Sequence, residues 1–557
     1  MTQKTLSHGN SADVQTTSAV HDDVAFSLMK VKRIHSQPLV TPLSTSSLPI
    51  DIMLVILSHA IEMPSLSRDR AGWFERRFSL GLSHVCGFWR AIMMENKVMW
   101  TNISVLWDRQ TIDWYHTRAG DLPVQYHLVM EGPSSARRAD NWLLDTPVQE
   151  FIRTCTVPSA SSAKKLNIDL QVGGWPGFGR AVIADNLGRA LERMDAPYLE
   201  ELSINGIETP RFRITGAAFK GSDGLPALHK ASLTNLTVAN ESAFFHSGLT
   251  HLSLYKVQVE WGTLNLLERL PNLISLSISP LAVTLITIST RYHLPHLQTL
   301  ALRGPARDVN TFMGALFYPH TCSVDVCLME TLGADLDKNT VYARGVFETL
   351  RTRLEPHGTV DVFNHLDVNT DPFIVRLALS QRTCEHRPVP NAQSLVVTLV
   401  AFLPNRRFLL KPLVDDQLPG MEFIRTLTST YAALGSMSGF PHHRDLWTTV
   451  ASRTPRLGSY VLRGHMDNAT SCFDALEAAH TDTRSPLPPG RPEKIVLEGV
   501  DCDAESEHLP AILDPGSSFW AVMERRPALK VIFKGCAVPS GAEEGLSRLG
   551  NVSVVSE

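Results

Sequence analysis

Apolar residues recur along this chain at two different spacings, and the change between them divides it. From residue 48 the period is helical. Ile52, Val55, Ile56 and His59 fall at i, i+3, i+4 and i+7, Leu57 and Ile61 widen the stripe, and Pro64 ends it. Leu48-Pro49 suits a first helical turn, where proline's missing N–H has no partner to lose. An arginine-rich stretch over residues 65–78 predicts a loop. Leu82, Val85, Cys86, Trp89, Ile92 and Met93 then return to steps of three and four and predict a second helix. Residues 101–106 alternate like a strand that leads onward.

Beyond residue 107 a short motif, LxxLxL, takes over. It appears as Leu199-Glu200-Glu201-Leu202-Ser203-Ile204, Leu249-Thr250-His251-Leu252-Ser253-Leu254, Leu273-Ile274-Ser275-Leu276-Ser277-Ile278 and Leu297-Gln298-Thr299-Leu300-Ala301-Leu302. The middle leucines 252, 276 and 300 stand 24 residues apart, whereas Leu233-Thr234-Asn235-Leu236 falls off that register. A period of about 20–29 residues with this motif is the pattern of a leucine-rich repeat, in which each unit adds one short strand and its neighbours complete the core. Proline precedes the strand at Pro197, Pro271 and Pro295, where it predicts the end of a preceding helix. One such helix is expected over residues 181–194, with Val182, Ile183, Leu187 and Leu191 on one face.

The second half is less regular. Strands are expected at 359–362, 395–402, 460–462, 495–497 and 529–533, and an exposed loop at 485–492. The expected organisation is a disordered polar tail over 1–47, a helical module over 48–107, and a repeat solenoid over 108–557. The solenoid is clearest over 196–304 and irregular after about 340, where a separate small α/β domain is the alternative. The fold class is α/β: a short all-α module followed by parallel short strands with helices.

Composition narrows the function classes. A formal net charge of −4 on 557 residues, without a basic stripe, points away from nucleic acid. No apolar run is long enough for a membrane span, and residues 1–25 lack the apolar core of a signal peptide. The eight cysteines are scattered without CxxC spacing and fit reduced thiols of a cytoplasmic or nuclear protein. Gly173-Gly174-Trp175-Pro176-Gly177-Phe178-Gly179 matches no phosphate-binding glycine motif, and the adjacent His442 and His443 lack metal-ligand spacing. Neither GxSxG nor HExxH occurs, so no catalytic residue, cofactor or metal is expected.

Taken together, Leu48-Pro49, Asp51, the apolar run 52–57, Val85-Cys86-Gly87-Phe88-Trp89-Arg90 and Met99-Trp100 resemble the F-box-like domain abundant in mushroom-forming fungi, which irregular leucine-rich repeats typically follow. The similarity covers about sixty residues. Lys97 stands where that family often has proline, and Gly87 replaces a common basic residue. The resemblance implies a non-catalytic adaptor of a Skp1-cullin-F-box ubiquitin ligase. It further implies Skp1 contacts at Leu48, Pro49, Ile52, Ile56, Val85, Cys86 and Trp89, and an unidentified target protein on the repeat surface. Two alternatives stay open at this point. Val85, Cys86 and Trp89 are either core or contact residues, and the segment is either a docking module or a structural cap on the repeats.

Overall fold

A five-residue strand with two aliphatic side chains on one face cannot bury them alone, but a neighbour on each side can. In the computed structural model of this chain, that rule organises most of the molecule. The structure describes residues 49–62, 78–105, 107–131, 163–171, 177–206, 212–219, 225–239, 241–259, 263–281, 291–329, 336–354, 363–370, 374–381, 394–400, 424–431, 447, 454, 456–464, 466–481, 492–500, 512–514, 516–538 and 541–555. The chain divides into two compact units, 1–60 and 61–557. The described part of the first unit is one helix, α1 (Ile50–Glu62), whose last two residues cross the boundary.

The second unit opens with helices α2 (Phe78–Ser83) and α3 (Gly87–Glu95) and a 3-10 turn (Lys97–Trp100). Next come β1 (Asn102–Ser104), α4 (Arg109–Ala119), β2 (Val124–Glu131), β3 (Ala163–Gln171), α5 (Gly177–Arg193) and β4 (Glu201–Asn205). Short and longer strands then alternate as β5 (Phe212–Ile214), β6 (Lys230–Thr234), β7 (Leu236–Val238), β8 (His251–Tyr255) and β9 (Gln258–Val259). Helix α6 (Thr263–Leu267) precedes β10 (Ser275–Ser279), and β11 (Tyr292–His293) precedes β12 (Thr299–Pro305). Helix α7 (Ala306–Ala315), β13 (Leu316–Phe317), β14 (Ser323–Met329) and α8 (Leu336–Leu354) follow. Then come β15 (His365–Thr370), β16 (Ile374–Ser380), β17 (Ser394–Val400), β18 (Thr426–Tyr431), β19 (Ser459–Gly464) and α9 (Met466–Thr481). The chain closes with β20 (Lys494–Glu498), α10 (Ser518–Arg525), β21 (Lys530–Lys534), α11 (Glu543–Arg548) and β22 (Val552–Val555).

Strands β1, β2, β3, β4, β6, β8, β10, β12 and β14 lie side by side, all parallel. The ladder continues through β17, β16, β15, β18, β19, β20, β21 and β22. Only β16 runs antiparallel to its neighbours. The described residues thus form one 17-stranded sheet, beside two short ladders, β5-β7-β9 and β11-β13. The architecture is mixed α/β, a large and mostly parallel sheet with helices.

The register explains the irregular repeat. Leu252, Leu276 and Leu300 are direct partners, and Leu202 reaches Leu252 through Ala231, not through Leu233 or Leu236. The intervening unit is therefore Leu228-His229-Lys230-Ala231-Ser232-Leu233, with alanine in place of its middle leucine. Leu228, Ala231 and Leu233 are all buried. Leu236 belongs to β7 in the second ladder.

The prolines act differently from the expectation of a helix stop. In Ala196-Pro197-Tyr198-Leu199, Leu225-Pro226-Ala227-Leu228, Leu270-Pro271-Asn272-Leu273 and Leu294-Pro295-His296-Leu297, the fourth residue's N–H donates to the first residue's carbonyl at 3.0–3.3 Å. Proline at the second position pre-sets φ for such a turn. The leucine that closes each turn is buried, so the turn delivers the chain into the strand in register. Arg526-Pro527-Ala528-Leu529 repeats the device before β21.

The corner after each strand is equally tight. Gly206 N–H donates to the Thr234 carbonyl at 2.8 Å and Asn235 N–H to that of Tyr255 at 2.9 Å. A side-chain carbon on Gly206 would stand 2.7 Å from the Asn235 carbonyl oxygen, closer than such atoms approach. Gly314, in helix α7, meets nothing within 4 Å. Gly206→Ala is expected to destabilise the protein by about 1–3 kcal/mol, and Gly314→Ala to stabilise it by about 0.5–1 kcal/mol. Urea unfolding midpoints of the two variants, which should move in opposite directions, check this pair.

Candidate functional site

Helix α1 starts where the Pro49 carbonyl accepts from Met53 N–H at 3.1 Å. One stripe of this helix, Met53 and Leu57, is buried. The other apolar stripe is not: Ile52 is 49% exposed, Val55 55% and Ile56 44%, and Ile50 in the first turn is 57% exposed as well. Pro49 is exposed as well, and Leu48 lies outside the described residues. The stripe that the sequence pattern singled out through Ile52, Val55 and Ile56 is thus the one that faces outward. His59 belongs to α1, but its side chain lies outside the described ones.

The expected second helix is two. α2 ends at Ser83, and α3 starts at Gly87 after an extended Cys86 at φ −157°. The Cys86 thiol sulfur accepts from Trp89 N–H at 3.5 Å and serves as the N-cap of α3. Arg90 Nε donates to the Ser83 carbonyl at 3.1 Å and bridges the break. Gly81 and Gly87 flank it, and glycine costs about 1 kcal/mol in a helix interior, so interruption here is favoured. Val85 stands on the resulting corner at 59% exposure. Trp89 is half-buried, and its indole N–H has no hydrogen-bond partner among the described residues.

Met99 and Trp100 have a different role. Trp100 is fully buried, and its Nε1 donates to the Met93 carbonyl at 2.7 Å. It meets Trp114 and Tyr115 of α4 edge-on, with centroids at 4.8 and 5.2 Å. The Tyr115 hydroxyl accepts from Leu80 N–H at 3.3 Å, and Ser79 Oγ donates to the Met99 carbonyl at 2.8 Å. These contacts tie α2, α3 and the 3-10 turn to α4, a helix the sequence pattern missed. Its first-turn signal was present in Asp108, which accepts from Thr111 N–H at 2.9 Å.

The outward face of the ladder carries the residues between the buried ones. On β4, β6, β8 and β10 its middle row is Ser203, Ser232, Ser253 and Ser277, each in register with the next. Where turns enter β8, β10 and β12, Ser247, Thr250, Asn272, Ile274, Pro295 and Gln298 help line an open groove of about 650 Å³; among the described residues that line it, His296 alone is acidic or basic. Among the described residues, no group of three or more His, Cys, Asp or Glu side chains could hold a metal ion. No described helix is long and apolar enough to cross a membrane.

Of the cysteines, Cys86, Cys322, Cys327, Cys472 and Cys536 are free thiols, while 155, 384 and 502 lie outside the described residues. Burial pushes the Cys322 thiol up to about 12, which keeps it protonated and unreactive. Residues 173–176 of the glycine-rich stretch and His442 and His443 also lie outside the described residues, and Gly177, Phe178 and Gly179 simply start α5.

No protein-family model matches the chain, and no curated protein matches it significantly.

Two outcomes follow from this geometry. Trp100→Ala removes a large ring from a filled site and should cost about 3–5 kcal/mol, while Val85→Ala on the exposed corner should cost less than about 0.5 kcal/mol. Chemical denaturation of both variants checks the contrast. The second outcome concerns His127 of β2, whose Nε2 lies 3.3 Å from Asn102 Oδ1. Burial, and then the Lys165 charge, lower its pKa to about 4. In the unfolded chain it titrates near about 6.5, so between these values the unfolded state binds more protons. Its share of stability is whole above about pH 6.5 and is lost as the pH falls toward about 4. Unfolding midpoints at about pH 7 and about pH 5 should diverge less in His127→Gln than in the wild type.

Proposed function

We propose that the chain is the substrate-recognition adaptor of a Skp1-cullin-F-box type ubiquitin ligase, with an F-box-like segment followed by a leucine-rich-repeat solenoid. In this reading Leu48, Pro49, Ile52 and Ile56 contact Skp1, as do Val85, Cys86 and Trp89. Skp1 links the chain to the cullin, and the repeat surface holds a target protein. The chain itself carries out no reaction; its contribution is proximity, which raises the effective concentration of the target at the transfer site.

The observation that carries this reading is the uncovered aliphatic stripe of α1. Four large apolar side chains on one short helix, each at least 44% exposed, are unusual in a surface that meets only water. Val85 adds a fifth exposed aliphatic, on the α2–α3 corner. Stable interfaces bury about 1,600 Å² around such apolar centres.

One observation favours the second reading, in which the segment is a structural cap of a repeat scaffold without ubiquitin chemistry. Residues 78–100 share the compact unit of the sheet, and their buried Trp100 packs on α4, next to the edge strand β1. A cap over a terminal strand has contacts of this kind.

Co-purification with Skp1 separates the two. The adaptor reading expects the full chain to bind Skp1, and Ile52→Glu with Ile56→Glu to weaken binding about 30-fold or more. Because both side chains are exposed, the thermal midpoint should hold. A well-folded wild-type chain that fails to bind Skp1 would leave only the cap.

A further inference from the structure

The middle outward row of β19, β20 and β21 differs from the serine row of β4, β6, β8 and β10. Register places Ser459, Lys494 and Lys530 in one row, Val461, Val496 and Ile532 in the next, and Arg463, Glu498 and Lys534 in the third. Their opposites, Tyr460, Leu462, Ile495, Leu497, Val531 and Phe533, are buried. The middle row is therefore an aliphatic stripe on the side that the core does not use, where β4 to β10 carry serines. All three of its side chains remain partly exposed.

Charge brackets this stripe. On one side Glu498 joins two cations: Arg463 Nη2 lies 2.7 Å and Lys534 Nζ 2.9 Å from its carboxylate. On the other side Lys494 and Lys530 are direct register partners on neighbouring strands, about 4.8 Å apart along the ladder. Both are exposed, and neither has an ion-pair partner among the described residues. The three rows together hold four cations and one carboxylate, on a chain whose formal net charge is −4. Two like charges set side by side oppose folding, and an open row of β-branched aliphatics exposes apolar surface; a ligand that is both anionic and apolar offsets both at once. About 13 Å separates the two charged rows, enough for one extended polypeptide to lie over the stripe with carboxylates reaching either way.

We infer that the face of β19–β21 is a docking surface for an extended acidic segment of another protein, one that alternates carboxylates with aliphatic side chains. The aliphatic row favours protein over nucleic acid, because a phosphate backbone gains nothing from valine and isoleucine. This surface deepens the adaptor reading by giving its target a chemistry, and its biological role rests on that reading. Its test involves neither Skp1 nor a ligase, so the two can fail separately.

The full chain would be titrated against a fluorescent peptide alternating glutamate with valine, by anisotropy, at low and at physiological salt. Binding should weaken with salt. It should fall about tenfold or more in Lys494→Glu with Lys530→Glu, with Lys494→Gln and Lys530→Gln as the milder pair should the reversal unfold. Val496→Asn with Ile532→Asn should weaken it similarly, whereas Arg307→Glu on α7 should not. Equal binding by the lysine variants would overturn the inference, as would equal binding of a glutamate–serine peptide or of oligothymidylate. The sequence also carries its own acidic run, Asp501, Asp503, Glu505 and Glu507. If changing these four to amides tightens peptide binding about tenfold, the chain's own segment is the occupant, and the inference falls.

Discussion

The in-register pairing of short parallel strands is the constraint on which the second unit depends. Most strands of the ladder contribute two or more buried side chains, as Leu276 and Ile278 do on β10, and these are covered only because β8 and β12 stand at the same height. A slip of one residue would turn every such pair to solvent. Register is therefore set before the strand begins. The X-Pro-x-Leu turn fixes the point of arrival through one 3.0–3.3 Å hydrogen bond and one buried leucine. After the strand, corners such as Gly206 and Asn235 fix the point of departure. Stability in such a stack is largely a sum over neighbours, which is why a poor unit such as that with Ala231 is tolerated between two good ones.

That same locality governs how much of the fold can be read in the residues. The 24-residue step of Leu252, Leu276 and Leu300 is visible because each unit repeats one solution. Strands at 395–402, 460–462, 495–497 and 529–533 were visible from their own alternation. Their order was not. The strand after α8 does not pair with β14. The chain skips ahead to β15, returns through antiparallel β16, and sets β17 beside β14. Nothing in a period of two says which of two similar aliphatic edges a strand will meet. Helix α4 was missed for a related reason: its buried Ile112, Tyr115 and Ala119 are few, and its stability comes from Trp100 and Trp107 outside it.

In the helical segment, pattern and structure part company at the residue level. Spacing alone treats Ile52, Ile56, Val85, Cys86 and Trp89 as equivalents. In the structure they do four different things: two face outward on α1, one sits on a corner, one caps a helix through sulfur, and one is half-buried with an N–H that has no partner among the described residues. The break between α2 and α3 separates Val85 and Cys86 from the helical face of Trp89, because the two flanking glycines make continuation costly and Cys86 supplies a cap. Met99 and Trp100 belong to the same sequence pattern as the proposed contact residues, yet both are core. A motif therefore mixes residues that hold a segment together with residues free to touch something else, and only burial sorts them.

The outward face of the ladder raises the converse question, since no core demand selects its residues. A serine row asks little of its surroundings: each hydroxyl is small and satisfied by water. The row Val461, Val496 and Ile532 asks more, because each aliphatic group left in water forgoes the roughly 25 cal/mol per Å² that burial would return. β-Branched side chains do favour strands, and that preference alone would justify threonine equally well. On the neighbouring β18 the position in register with Val461 is Thr428, which is buried, and Thr426 and Thr430 continue the rows on either side. The switch from threonine to aliphatic falls at Val461 on β19, and the adjoining row turns from Ser459 to lysine one strand later, at Lys494 and Lys530. Propensity explains neither lysine, and solubility explains lysine without the aliphatics. A surface that must bind something both acidic and apolar accounts for the two together.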